Sequence, residues 1–144
     1  MTKNLLLFLF LAAGSAGAQP LLFNDGAVIK VSSSEVVYIQ GGLGNSVAGS
    51  IDNAGTIYLS GDWTNDNASG CLTPAGTVEM NGGAQAIGGA QPTTFNNLVF
   101  SGTPGAYKTL NVNASVGGVL SLGASVLDLN TRTLNLTNPA SGAV

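Results

Sequence analysis

Residues 56–61 read Thr56-Ile57-Tyr58-Leu59-Ser60-Gly61, and residues 77–82 read Thr77-Val78-Glu79-Met80-Asn81-Gly82. Both follow one rule: apolar, any residue, apolar, any residue, glycine. Alternation with period two describes a strand with one buried face, and the glycine ends it in a turn. Val37-Tyr38-Ile39-Gln40-Gly41 and Leu98-Val99-Phe100-Ser101-Gly102 obey the same rule. The first apolar residues of the four units lie 20, 21 and 20 positions apart. Working outward, Val47 to Trp63 aligns with Ala68 to Ala84 at an offset of 21 without a gap. Ile51 meets Leu72, Ala54 meets Ala75, and Gly55 meets Gly76. Cys71 meets Ser50, between inward neighbours.

Beyond Gly102 the pattern tightens. Leu110 and Val112 make one apolar pair. Leu120 and Leu122, Leu127 and Leu129, and Leu134 and Leu136 follow, with pairs seven residues apart. Seven residues make one strand and a turn, so three such units make a coil of about 20 residues, within the solenoid range. A five-residue strand cannot hold itself, but stacked copies about 4.8 Å apart share backbone bonds and a continuous core. The expected fold is all-β: a right-handed parallel β-helix, or β-solenoid, with Asn amide ladders at its corners. An antiparallel β-sandwich also has short strands and frequent turns, but needs no fixed 20–21 offset. Residues 19–44 are expected to form an N-terminal cap or first coil, and residues 45–144 the solenoid repeats, ending mid-repeat. No window of the mature chain keeps a helical period.

Residues 1–18 have the form of an export leader. Lys3 is followed by an apolar run from Leu5 to Ala13, and Ala16-Gly17-Ala18 gives a small-x-small cleavage pattern before Gln19. The apolar run is too short to span a bilayer, which takes about 20 residues. The expected product is secreted or held at the cell surface, with no membrane insertion after cleavage at Ala18. It carries three basic and seven acidic residues, a formal charge of −4. Three scattered cations do not make a phosphate-binding stripe, so no nucleic-acid partner is expected. Gly numbers 21 in the chain and Asn thirteen after residue 18, and both residue types tolerate the left-handed backbone of tight turns.

Gly76-Thr77-Val78-Glu79-Met80-Asn81-Gly82, then Gln85, Ile87 and Gly88, then Thr94-Phe95-Asn96-Asn97-Leu98-Val99-Phe100 resembles a recurrent unit of large secreted and surface proteins of the Bacteroidota. In that unit a G-T-V-x-F-N-G segment precedes Q-x-I-x-G and T-x-F-x-N-L, and short leucine strands follow. The resemblance runs from about Val36 to Asn138. It implies an adhesin-like repeat region associated with type IX secretion. The final repeat stops mid-coil at Ser141-Gly142-Ala143-Val144, as in a truncated member. An uncapped solenoid end exposes unpaired strand groups, so end-to-end self-association is an expected partner mode.

The chain has no His and one Cys, which excludes a Ser-His-Asp machine and a zinc cluster. No catalytic residue, cofactor or metal ligand is therefore assigned. Asp62 and Asp66, in what reads as a polar turn, are the nearest approach to paired carboxylates or, with Asn65, to calcium ligands. Position twelve of an EF-hand frame starting at Asp62 holds Thr73 instead of Glu. Cys71 has no cationic neighbour in sequence to activate it. Trp63, Tyr38 and Tyr58 are the candidate glycan contacts, Trp63 by stacking on a sugar ring and the two tyrosines as an outward stripe. The expected function is a non-catalytic structural or adhesive segment whose partner is a surface glycan or protein. The alternatives are a carbohydrate-binding module and, more remotely, a polysaccharide-degrading β-helix enzyme.

Overall fold

The computed structural model describes residues 21–138. The leader, its cleavage point at Ala18, and the terminal Ser141 to Val144 lie outside the described residues. The chain winds in coils of three short strands. The first coil is β1 (Leu21–Asn24), β2 (Val28–Val31) and β3 (Val36–Ile39). The second is β4 (Gly42–Asn45), β5 (Ser50–Asn53) and β6 (Thr56–Leu59), and the third is β7 (Trp63–Asn65), β8 (Leu72–Pro74) and β9 (Thr77–Met80). The fourth holds β10 (Gln85–Gly88), β11 (Thr93–Phe95) and β12 (Asn97–Phe100), and the fifth β13 (Tyr107–Leu110), β14 (Ala114–Val116) and β15 (Leu120–Ser121). β16 (Val126–Asp128) and β17 (Leu134–Leu136) begin a sixth.

Every strand pairing among the described residues is parallel and joins equivalent strands of successive coils. The molecule is thus a three-faced β-solenoid, and the antiparallel sandwich is excluded. The first face is the sheet β1-β4-β7-β10-β13-β16, and the third is β3-β6-β9-β12-β15. The second face is two sheets laid end to end, β2-β5-β8 and β11-β14-β17, with β8 beside β11. Pro92, just before β11, has no N–H to donate to a ladder there.

The register explains both spacings seen in the sequence. Val37, Ile57, Val78, Leu98 and Leu120 form one inward column of the third face. Their offsets of 20–22 are one coil each. Leu120, Leu127 and Leu134 lie on the third, first and second faces in turn, so seven residues advance the chain by one face. The core between the faces holds Leu43, Ile51, Leu59, Trp63, Met80, Ile87, Phe95, Phe100 and Leu110, all essentially inaccessible. Residues 21–40 form a complete coil, and the expected 44/45 boundary falls inside β4.

The ungapped 21-residue alignment breaks at its end. It pairs Trp63 with Ala84, whereas the structure pairs Trp63 with Ile87 and, on its other side, Leu43. A longer turn at residues 81–84 takes up the difference. Two glycines show what tight stacking demands. A Cβ on Gly76 would lie 2.1 Å from the Gly55 carbonyl oxygen. A Cβ on Gly89 would lie 2.1 Å from the Asn65 carbonyl oxygen, and Gly89 also has φ +105°.

Candidate functional site

The outer surface of the third face carries three rows of side chains, one residue from each coil. Val36, Thr56, Thr77 and Asn97 form the first row, and Tyr38, Tyr58, Glu79, Val99 and Ser121 the second. Main-chain bonds from Ser60 to Ile39, Asn81 to Leu59 and Ser101 to Met80 carry the register one residue further. They line up Gln40, Ser60, Asn81 and Ser101 as the third row. Outward placement follows from the strand alternation, since Ile39, Leu59, Met80 and Phe100 between the rows point inward.

Tyr38 and Tyr58 stack with centroids 4.6 Å apart and planes 7° apart. Tyr38 stays 71% exposed, because β3 is the edge strand of its sheet. Beside the pair lies a shallow, open depression of about 490 Å³. The two rings, Gln40, Ser60 and Asn81 line it, and Ile39 lies beneath. The phenols, the two carboxamides and the serine hydroxyl make no hydrogen bond among the described residues. Gln40, Ser60 and Asn81 are candidates that only the structure brings together. Their signal was the fourth position of the repeat unit, which holds a small or amide residue each time.

Trp63 is corrected by the structure: it is not at the surface. It is 0% exposed, and its Nε1–H donates to the Thr93 hydroxyl at 3.0 Å. Its ring meets Phe95 edge-on, with centroids 5.2 Å apart. The segment from Asp62 to Asn67 is a strand and its flanks, not a polar turn. Trp63, Asn65 and Asn67 point inward, and Asp62, Thr64 and Asp66 point outward. Asp62 accepts the Ala86 N–H at 2.8 Å and Asp66 the Ala90 N–H at 2.8 Å, so each carboxylate caps backbone of the next coil. With Asn65 turned inward, the three oxygens do not converge on a common point. Among the described residues no group of three or more His, Cys, Asp or Glu could hold a metal.

The polar residues inside the solenoid serve its corners. Asn24 donates to Asn45 at 2.9 Å and to the Ala27 and Ser50 carbonyls. Asn45 donates to Gly49 at 2.7 Å, and Asn65 to Pro92 at 2.9 Å. These amides occupy equivalent positions on the first face. They donate to carbonyls at the corners, two of which also take a second donor: Ala27 the Ser50 N–H and Gly49 the Asn67 amide. Gln85 takes the opposite corner, donating to Leu59 and Gly61 and accepting from Gly82. One coil on, Lys108 turns inward and donates to the carbonyls of Met80, Gly82 and Gly83 and to the Gln85 side chain. Burial pulls the Lys108 ammonium below its ordinary pKa. Nothing in the sequence separates this inward lysine from a surface one.

Cys71 is buried, with its sulfur 3.8 Å from the Thr93 hydroxyl. Burial pushes the thiol up from its ordinary 9.0 to about 11, only partly offset by the Thr93 contact. Between these values the unfolded chain releases a proton that the folded chain keeps. Stability is therefore expected to fall as pH rises through that window, by about 2–3 kcal/mol at its upper end. Urea unfolding from pH 8 to 11 should show that loss as the difference between the wild-type chain and Cys71→Ala, since the opposite contribution of the lowered Lys108 is common to both. An equal loss in both would place the thiol at the surface.

No family model matches this chain, and neither a curated protein nor a solved structure matches it significantly.

Proposed function

We infer that the chain is a non-catalytic structural and adhesive segment of an exported, surface-associated repeat protein. The use made of its carboxylates carries this reading. Asp62 and Asp66 cap the next coil, Glu79 accepts the Ser101 hydroxyl, and Glu35 accepts the Ser32 N–H. Asp52 pairs with Lys30 at 3.3 Å, and Asp128 accepts the Asn130 N–H. Each of these six is tied to a different group of the scaffold, and the seventh, Asp25, lies exposed in the bend after β1. A glycan-cleaving site would instead need two carboxyls facing one bond from opposite sides, about 5–9.5 Å apart. The leader pattern of residues 1–18 and the resemblance to Bacteroidota surface repeats favour export and adhesion. The parallel stack suits a stalk, because each added coil lengthens it without changing its cross-section.

Two measurements test this. Expressed with its leader in a Gram-negative host, the chain should leave the cytoplasm as a species starting at Gln19. Beads coated with it should adhere under flow to surfaces bearing polysaccharide or extracellular matrix protein, while the same polysaccharides gain no reducing ends. Cytoplasmic retention of the uncut chain would remove the export assignment. Release of reducing ends, or no adhesion to any surface, would remove the adhesive one.

A further inference from the structure

We propose that the depression beside Tyr38 and Tyr58 binds a neutral polysaccharide, with the sugar chain running along the solenoid axis between the second and third outward rows of the third face. This inference rests on the adhesive reading above and names its ligand class.

The chemistry of the two walls selects the ligand. A pyranose has apolar C–H patches and a rim of hydroxyls that both donate and accept hydrogen bonds. One wall of the depression is the pair of stacked rings with their phenol groups, and Ile39 forms an apolar floor. The other wall is Gln40, Ser60 and Asn81. A carboxamide or hydroxyl both donates and accepts, as a sugar hydroxyl does. A concave site with apolar lining and a few convergent polar groups is the usual form of a small-ligand site.

The site's freedom from internal bonds separates these groups from the amides inside the solenoid. Asn24, Asn45, Asn65 and Gln85 are all engaged with main-chain carbonyls. The side chains of Gln40, Ser60 and Asn81 keep their hydrogen-bonding capacity for an outside partner.

Charge selects the class of glycan. Glu79 continues the tyrosine row into the next coil. Of the described cations, Lys30 is on the second face and paired with Asp52, Lys108 is buried on the first, and Arg132 lies between β16 and β17. The third face thus offers a carboxylate and no cation, which disfavours uronic-acid or sulfated chains. The repeat sets the direction: rings occupy the first two levels of one row and amide or hydroxyl groups the first four levels of the other, so a polymer laid along the axis meets the walls at successive levels.

Affinity electrophoresis of the purified chain in native gels tests the proposal. The gels would contain glucomannan, mixed-linkage β-glucan or xyloglucan as neutral probes, and polygalacturonate as the acidic one. The chain should be retarded in at least one neutral gel and not by polygalacturonate. Tyr38→Ala and Tyr58→Ala should each weaken the retardation about tenfold, the loss expected for one stacking aromatic. Asn81→Ala should weaken it without touching the core, and Tyr107→Ala, on the first face, should leave it unchanged. No retardation in any neutral gel, retention in polygalacturonate alone, or undiminished retention of the double tyrosine variant would overturn the proposal. Adhesion of coated beads to matrix protein without retardation in the gels would overturn the groove and leave the adhesive role standing. Release of reducing ends would remove the role itself, whatever the gels show.

Discussion

Replacing Ile57 with Asp is expected to lower the free energy of unfolding by about 3–5 kcal/mol. Ile57 is 2% exposed and lies in the column between Val37 and Val78. A carboxylate there loses its water and gains no cation, since the column is aliphatic on both sides. The adjacent change, Tyr58→Asp, should cost only about 1–2 kcal/mol. It removes the stack on Tyr38, worth roughly 0.5–1.5 kcal/mol, and sets a second carboxylate beside Glu79. Alternation alone predicts a nearly neutral Tyr58→Asp, and the register raises that cost. Urea unfolding of the two variants checks the contrast. Equal losses would show that the inward and outward phases are wrongly assigned.

Trp63→Ala is expected to cost about 3–5 kcal/mol, the range for removing a large aromatic from a packed core. The indole fills the space between Leu43 and Ile87 and packs against Phe95. Its removal also leaves the Thr93 hydroxyl without the indole donor. Trp63→Phe should restore much of the packing and still cost about 1–2 kcal/mol for the lost hydrogen bond. Thermal unfolding followed by circular dichroism measures both variants. A cost under about 1 kcal/mol for the alanine variant would put the indole at the surface and return it to the list of sugar contacts.

The two experiments probe different features of the fold. The first concerns phase along a strand, the second the assignment of a segment as strand at all. Legibility differed in the same way. On the third face β3, β6, β9 and β12 each carry two apolar inward residues, so their period is plain. On the first face the inward residues include Asn24, Asn45, Asn65, Gln85 and Lys108. A polar residue facing inward at a corner looks, in sequence, like a polar residue facing water. The flanking acids made Asp62 to Asp66 resemble a turn for that reason, although Leu43-Gly44-Asn45 sits 20 residues before Trp63-Thr64-Asn65 and matches it in form.

The candidate site was half legible. Tyr38 and Tyr58 share a repeat position, and parallel stacking one residue above its equivalent puts them in contact. The amide and serine wall opposite them does not stand out in the sequence, because a Gln, Ser or Asn just before a turn glycine is ordinary turn chemistry. Only the turn of the chain after that residue brings Gln40, Ser60 and Asn81 alongside the rings.

By itself the sequence determined the parallel stack, the length of a coil, and which apolar residues of the third face point to the core. It does so because in-register stacking places like on like, so spatial neighbours become residues one period apart. Tertiary structure alone decided where the polar residues go. Whether an Asn, Gln or Lys is buried depends on carbonyls presented at a corner by another coil, more than 20 residues away. That demand for a donor is set by the three-dimensional path of the backbone, and no local pattern records it.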